Sequence, residues 1–163
     1  MNRIILLLLT FVPVVSGYLL NLLVLVPGLG TLLFYLLPCV TLIFWFFLGN
    51  LYSKSGWNLA QSTLIGNGVG FLSLILYFWQ FLLCSDDSRN IFLAPFSQEF
   101  TANTNLLTAR LAMLFEAEKN TISQTTMTAM QVLGLVLMVL LFMLGYGFGK
   151  RRSSSVIREG QES

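Results

Sequence analysis

The chain has 163 residues, 56% of them hydrophobic and only 10% charged, with a net charge of +2 and a mean hydropathy of +0.79. Water-soluble domains carry about 25% charged residues, so this composition argues against an ordinary soluble globule. The aromatic content of 13% argues against a disordered chain, and the small net charge argues against a nucleic-acid-binding protein. We therefore expect an all-α, polytopic membrane protein.

Three long stretches contain no charged side chain: residues 4–53, 55–85 and 120–149. A helix that crosses a membrane needs about 20 apolar residues, so the first stretch is long enough for two helices and each of the others for one. Pro27 and Gly28 divide the first stretch, because proline and glycine favour a turn. The sequence thus predicts four transmembrane helices, over about 4–26, 31–49, 59–84 and 130–149.

The start of the chain also has features of a cleavable signal peptide. Arg3 precedes the apolar run Ile4–Leu9, and the small residues Ser16 and Gly17 follow it. The apolar sequence nevertheless continues without interruption to Val26, which is longer than the core of about 7–15 residues in a signal peptide. We therefore favour an uncleaved first helix.

The distribution of lysine and arginine predicts the orientation. With the N-terminus inside, the inner segments carry six basic residues and the segment between the third and fourth helices carries three. The inner set is Arg3, Lys54, Lys150, Arg151, Arg152 and Arg158, and the outer set is Arg89, Arg110 and Lys119. Because basic residues accumulate in cytoplasmic loops, both termini are predicted to be cytoplasmic, in a plasma membrane or a bacterial inner membrane.

The C-terminal tail, residues 150–163, is predicted to be short and basic, and disordered from Ser153 onwards. Its cluster Lys150, Arg151 and Arg152 would contact anionic lipid headgroups. The alternative is that the cluster only marks the end of the fourth helix and orients it in the membrane.

The segment 86–129 is predicted to lie outside, together with its acidic residues Asp86, Asp87, Glu99, Glu116 and Glu118. An amphipathic helix is predicted near 103–119, because Leu107, Leu111 and Leu114 follow the spacing of one helical face. The opposite face would carry Asn105, Thr108, Glu116 and Lys119. The leucine face would either lie on the outer leaflet or cover the ends of the membrane helices.

The residue types present exclude many catalytic sites. The chain has no histidine, which zinc sites with paired imidazoles, histidine-ligated haem and serine–histidine catalysis all require. No Asp or Glu lies in a predicted span, so neither paired intramembrane carboxylates nor a buried proton carrier is expected. The prediction is a non-catalytic protein without a metal or cofactor.

The third predicted helix is the most polar of the four, and its small residues favour close helix packing. Ser62, Gly66 and Gly70 form a ridge at four-residue spacing, with Asn67 beside it. Such ridges let a neighbouring helix approach closely. The alternative is that Asn67, Gln61 and Ser62 line a path for a small molecule or an ion.

Two further groups of residues are assigned to contacts between helices. Asn21, Gln80 and Gln131 come from three different predicted helices at similar depth, and they would form an outer polar cluster. The glycines between Gly145 and Gly149 precede a lysine but fail the phosphate-loop pattern. They are predicted to provide close packing.

These features favour an accessory or assembly subunit of a larger membrane complex, which acts through contacts of its helices and of its outer segment. The alternative function is a passive channel or carrier, formed by an oligomer in which the polar face of the third helix lines the path. The expected partners are membrane lipids and either another protein or further copies of the chain. Nucleic acid is not an expected partner.

Overall fold

The structure of the protein, a computed structural model, describes residues 3–115 and 123–159. Over these ranges it contains α-helices and short helical turns, and no strand. The α-helices are α1 Arg3–Leu9, α2 Val12–Leu23, α3 Leu29–Tyr52, α4 Leu59–Gly66, α5 Gly68–Phe78, α6 Leu93–Ala102, α7 Asn105–Ala112 and α8 Gln124–Glu159. A π-helical turn, Trp79–Leu83, continues α5, and 3₁₀ turns lie at Asp86–Ser88 and Met113–Phe115.

Three helical segments are long and apolar enough to cross a membrane: Arg3–Leu23, Leu29–Tyr52 and Gln124–Arg152. A fourth results if Leu59–Gly66 and Gly68–Leu83 are taken together, although the two parts are bent by 54°. The predicted all-helical class is therefore confirmed for the described residues. The four apolar segments of the sequence correspond to these three continuous helical segments and one bent pair.

The last helix is longer than predicted. α8 begins at Gln124 instead of about 130, and it continues to Glu159 instead of about 149. No proline or glycine lies in this helix before Gly134, so nothing in the threonine-rich approach stops a helix. The prediction of disorder from Ser153 onwards is wrong as far as Glu159, and residues 160–163 lie outside the described part.

The first membrane-length segment is broken at Thr10 and Phe11. Pro13 has no amide hydrogen, and its ring crowds the preceding turn. The amides of Thr10 and Phe11 donate to the carbonyl oxygens of Leu7 and Leu8 at 3.1 and 3.2 Å. These bonds join residues three apart, which is typical of a 3₁₀ turn. α1 and α2 are therefore two helices joined by a tight turn.

The two ends of the helix bundle differ in composition. At one end the guanidinium of Arg3 lies over the ring of Trp57, 5.3 Å from its centroid, and Tyr146 donates to the Trp57 carbonyl at 2.7 Å. We call this the basic end. At the opposite end Arg89 Nε donates to the carbonyl of Gln80 at 3.1 Å. We call this the loop end, because the chain from α5 to α6 turns there.

α3 and α8 touch each other through their main chains. A Cβ atom at Gly49 would collide with the carbonyl oxygen of Phe142, and one at Gly145 would collide with the carbonyl oxygen of Phe46. The helices thus approach to a distance that a side chain at these positions would prevent. A Cβ at Gly147 would meet nothing within 4 Å, so the close packing predicted for this glycine run does not extend to that position.

α6 and α7, which lie between α5 and α8 in the chain, pack inside the helix bundle. Phe100 of α6 fits against Gly70 of α5, and Thr104 fits against Gly134 of α8. Gly134 is ten residues beyond the start of α8, which is about 15 Å at 1.5 Å per residue. α7 packs along α8, and the described chain resumes where α8 begins, at the loop end. We call α6, α7 and the turn between them the inserted hairpin.

Glycines on three surrounding helices make room for the inserted hairpin. Each lies where an added Cβ atom would run into it. The contacts are Gly17 of α2 with the carbonyl oxygen of Glu99, Gly70 of α5 with the ring of Phe100, and Gly134 of α8 with the hydroxyl oxygen of Thr104. The slot that receives the hairpin is therefore formed by three helices together.

The single amphipathic helix predicted near 103–119 is wrong for the described residues. α6 ends at Ala102 and α7 begins at Asn105, and residues 116–119 lie outside the described part. Leu111 and Leu114 are 54% and 79% exposed whereas Thr108 is 2% exposed, so the covered face is the one that carries Thr108. The leucines therefore do not cover the ends of the other helices. Polar groups face inwards and leucines outwards, as expected in an apolar medium.

Replacing Gly145 with alanine should destabilise the fold, whereas the same change at Gly147 should not. The new Cβ at Gly145 meets main-chain atoms of α3, and such overpacking costs about 1–3 kcal/mol. At Gly147 alanine is expected to be neutral or to stabilise the helix by up to about 1 kcal/mol. Thermal unfolding in mild detergent, followed by tryptophan fluorescence, measures both. Equal melting temperatures would contradict the main-chain contact between α3 and α8.

Candidate functional site

The predicted ridge of the third helix faces the interior of the chain itself. A Cβ at Gly66 would meet the ring of Phe142, and one at Gly70 would meet the ring of Phe100. Ser62 is fully buried. The ridge is therefore filled by helices of this same protein.

Asn67 lies at the bend between α4 and α5 and is also fully buried. Its Oδ1 accepts a hydrogen bond from Trp45 Nε1 at 2.9 Å, and its Nδ2 donates to the carbonyl of Thr63 at 3.0 Å. Gln61 is exposed and instead closes a reciprocal cap with Asn58 at the start of α4. Asn67 and Gln61 are thus engaged with separate partners within one chain, whereas the buried Ser62 hydroxyl has no hydrogen-bond partner among the described contacts.

The three residues of the predicted outer polar cluster do not bond to one another among the described contacts. Each meets a different group of the inserted hairpin or of the chain that leads into it. Asn21 Nδ2 donates to both carboxylate oxygens of Glu99 at 3.0 and 3.1 Å, Gln80 Oε1 accepts from the Asn90 amide at 2.7 Å, and Gln131 Oε1 accepts from the hydroxyl of Thr101. The hairpin supplies the partners of Asn21 and Gln131, and the chain that leads into it supplies the partner of Gln80.

Glu99 is the most consequential departure from prediction. It was expected outside, but it lies in α6 against α2 and is only 4% exposed. Its described hydrogen-bond donor is the neutral amide of Asn21, and among the residues whose side chains the structure describes no lysine or arginine pairs with it. Glu99 lies in none of the four predicted spans, and its burial in α6 was not foreseen from the sequence.

The surroundings of Glu99 disfavour its charged form. Burial raises the pKa of this carboxyl above its usual value of 4.5, and the hydrogen bond from Asn21 offsets part of that rise. α6 enters the bundle without crossing it, so the carboxyl lies at the side of α2 near the loop end. Taking on a proton or pairing with a cation would each relieve the cost of a buried negative charge.

Hydrogen bonds to main-chain groups hold the hairpin in its slot. Asn103 Nδ2 donates to the carbonyl of Pro13 at 3.1 Å and to the hydroxyl of Ser16 at 2.7 Å. On the other side, the Ser73 hydroxyl of α5 donates to the Ser97 carbonyl at 2.6 Å. These bonds position α6, and with it Glu99, between α2 and α5.

A groove of about 440 Å³ opens at the surface between α2 and α6. Its lining consists of Val14, Val15, Tyr18, Ile91, Phe92, Pro95, Phe96 and Glu99. Among these described residues Glu99 alone is charged. Another cavity, of about 410 Å³ beside Gln124 and Leu82, has no ionisable side chain in its described lining. The α2–α6 groove therefore combines an apolar wall with a carboxyl group, and we take it as the candidate site.

Reasoning from the sequence missed Glu99 because it lies in a segment with charges at both ends. Asp86 and Arg89 precede it, and Arg110 follows it. A usable signal was the apolar run 91–96, which leads directly into it. Helical spacing from that run places Glu99 on the face of Pro95 and Phe96, among apolar neighbours.

The remaining predicted contact residues are at the basic end. Lys150, Arg151 and Arg152 are exposed at the surface of α8, where headgroup contact stays a prediction. Among the described residues no group of three or more His, Cys, Asp or Glu side chains is arranged to hold a metal ion.

Comparison with protein-family models, with curated proteins and with solved structures gives no match. The functional argument therefore depends on the geometry of the α2–α6 groove alone.

Replacing Asn21 with leucine should lower the free energy of unfolding of the wild-type protein by more than it lowers that of a Glu99→Leu variant. In the wild type the change removes the donor from a buried carboxyl, at a cost of about 1–3 kcal/mol. In the Glu99→Leu background no carboxyl remains, so the same change should cost less. Thermal unfolding of the four proteins in mild detergent closes the double-mutant cycle. An equal cost in both backgrounds would contradict the Asn21–Glu99 interaction.

Proposed function

We propose that the protein is an integral membrane protein with four crossings, in which the bent pair α4–α5 counts as one. Large apolar side chains cover the outside of the bundle, for example Leu8, Ile43 and Leu144, which are 64%, 59% and 63% exposed. Such a surface is favourable in lipid and unfavourable in water. Positive charge accumulates at the basic end, which supports cytoplasmic termini in a plasma membrane or bacterial inner membrane.

This topology predicts opposite labelling of two engineered thiols. In a chain with Cys39→Ala and Cys84→Ala, a thiol at Ser88 lies at the loop end and one at Ser55 at the basic end. A membrane-impermeant maleimide applied to intact cells should label Ser88→Cys and spare Ser55→Cys, and inside-out vesicles should reverse this pattern. Labelling of both thiols from the same side would contradict the proposed orientation.

We propose further that the protein is not an enzyme and acts by lateral binding, and that the α2–α6 groove receives an apolar molecule from the membrane. The observation that carries this proposal is Glu99, a buried carboxyl with a neutral donor beside a groove at the side of the bundle. Ionisable residues at membrane depth are costly and usually mark functional sites. The groove also has the size of a small-molecule site, which typically measures about 300–1,000 Å³.

The accessory role predicted from the sequence remains a separate proposal, and two of the arguments for it are weaker. Helices of the same chain fill the ridge Ser62–Gly70, and the described residues do not form the single amphipathic helix near 103–119. Contacts with a protein partner would use other surfaces. The oligomeric channel has no specific observation to support it, because Asn67 and Ser62 would have to leave their present neighbours to line a path.

Filling the groove should weaken lateral binding. Val15 is 57% exposed in the groove wall, and Val40 is 47% exposed on α3, so Val15→Trp and Val40→Trp are matched changes. Native mass spectrometry of the protein in mild detergent should show a retained apolar molecule on the wild type and on Val40→Trp. Its occupancy should fall about tenfold on Val15→Trp, the effect of roughly 1.4 kcal/mol. An unchanged occupancy on Val15→Trp, or no retained molecule on the wild type, would count against the proposal.

A further inference from the structure

We infer that the α2–α6 groove selects amphiphiles whose headgroup is a protonated amine, with Glu99 as its counter-charge. The inference rests on the proposed function, since it specifies which molecules the groove receives. The occupant carries one positive charge and an apolar tail, and it has no anionic group.

The first argument is the unbalanced charge. The Glu99 carboxyl is held by Asn21, whose single amide nitrogen donates to both oxygens. An amide supplies hydrogen bonds but no positive charge, so none of the side chains that the structure describes compensates an ionised Glu99. Arg89, the basic residue that precedes α6 in the chain, pairs instead with Asp86 at 2.6 Å and donates to the Gln80 carbonyl. A cation that enters the groove would provide the missing charge in a site with little water.

The second argument is the aromatic wall. Tyr18, Phe92 and Phe96 line the groove with Glu99, and all three are substantially exposed, at 55%, 86% and 44%. The faces of aromatic rings attract ammonium groups through their quadrupoles. A carboxyl flanked by aromatic rings is therefore suited to an amine, whereas a purely aliphatic wall would favour uncharged tails only.

The third argument excludes anionic headgroups. Among the described lining residues there is no lysine or arginine, so a phosphate or carboxylate in the groove would face Glu99 without a counter-charge. Such like-charge contacts are unfavourable at low dielectric. A zwitterionic lipid would bring its phosphate with its amine, and it fits less well than a simple long-chain amine.

Photoaffinity labelling with two matched probes tests the inference on the full chain in mild detergent at pH 7.5. One probe is a long-chain primary amine with a diazirine in its tail, and the other is its uncharged N-acetyl derivative. The amine is protonated at this pH, as lysine is. Labelling is quantified by mass spectrometry on peptides that contain 14–18 or 91–99. We expect the amine to label these peptides about tenfold more than the acetamide does.

Glu99→Gln should remove this preference while retaining acetamide labelling, which shows that the variant is folded and the groove intact. Asp87→Asn is the matched control, because Asp87 is an exposed acid at the loop end, and it should keep the preference. The amine inference would be overturned if both probes labelled the wild type equally. If that labelling disappeared in Val15→Trp, lateral binding at the groove would still be supported. A preference that survives in Glu99→Gln, or disappears in Asp87→Asn, would also overturn it. No labelling of the groove by either probe would overturn lateral binding as well.

Discussion

Polar groups in an apolar bundle must find hydrogen-bond partners inside it, and this constraint shapes the protein. The inserted hairpin carries amides, hydroxyls and a carboxyl into the space between α2, α5 and α8. The surrounding helices supply partners for several of them: the carbonyl of Pro13 accepts from Asn103 Nδ2, and Gln131 accepts from Thr101. The Oδ1 atoms of Asn103 and Asn105 are buried without a described partner. Because each unmet polar group would be costly in that setting, the hairpin has a defined depth and rotation in its slot.

The need of buried polar groups for hydrogen-bond partners also determines where the candidate site lies. Close packing at Gly17 brings α2 against the backbone of Glu99, so the carboxyl is buried where Asn21 reaches it. The exposed faces of α2 and α6 then diverge and leave the α2–α6 groove between them. The hairpin thus forms one wall of the groove and also supplies its charge. A variant that expels the hairpin would lose the candidate site together with the packing of α6 and α7 in the bundle.

The membrane-length helices could be predicted from the sequence because their signal is local. Long runs without charge require helices in an apolar medium, and glycine spacing at Gly66 and Gly70 indicates where another element approaches. The element that approaches Gly70 is Phe100 of the hairpin, and that could not be predicted. A polar segment such as 86–115 has the same composition whether it faces water or the inside of a bundle.

The same ambiguity explains the errors at individual residues. The sequence predicts that the leucines of 103–119 either lie on the outer leaflet or cover the ends of the other helices, and in the structure Leu111 and Leu114 face outwards. Asn21 and Gln131 were recognised as polar groups in need of partners. Their partners were missed, since Glu99 and Thr101 belong to a segment that is close to them only after the hairpin has entered.

Cross-linking across the slot tests the insertion of the hairpin most directly. Ser16 and Asn103 are 87 residues apart in sequence, and their side chains lie within 2.7 Å of each other. In a chain with Cys39→Ala and Cys84→Ala, the pair Ser16→Cys and Asn103→Cys should form an intramolecular disulfide on mild oxidation in membranes. The control pair Ser16→Cys and Leu111→Cys should not. Absence of the first disulfide, with Asn103→Cys reacting readily with a water-soluble maleimide from the loop end, would show that the hairpin lies outside the bundle and would contradict this account.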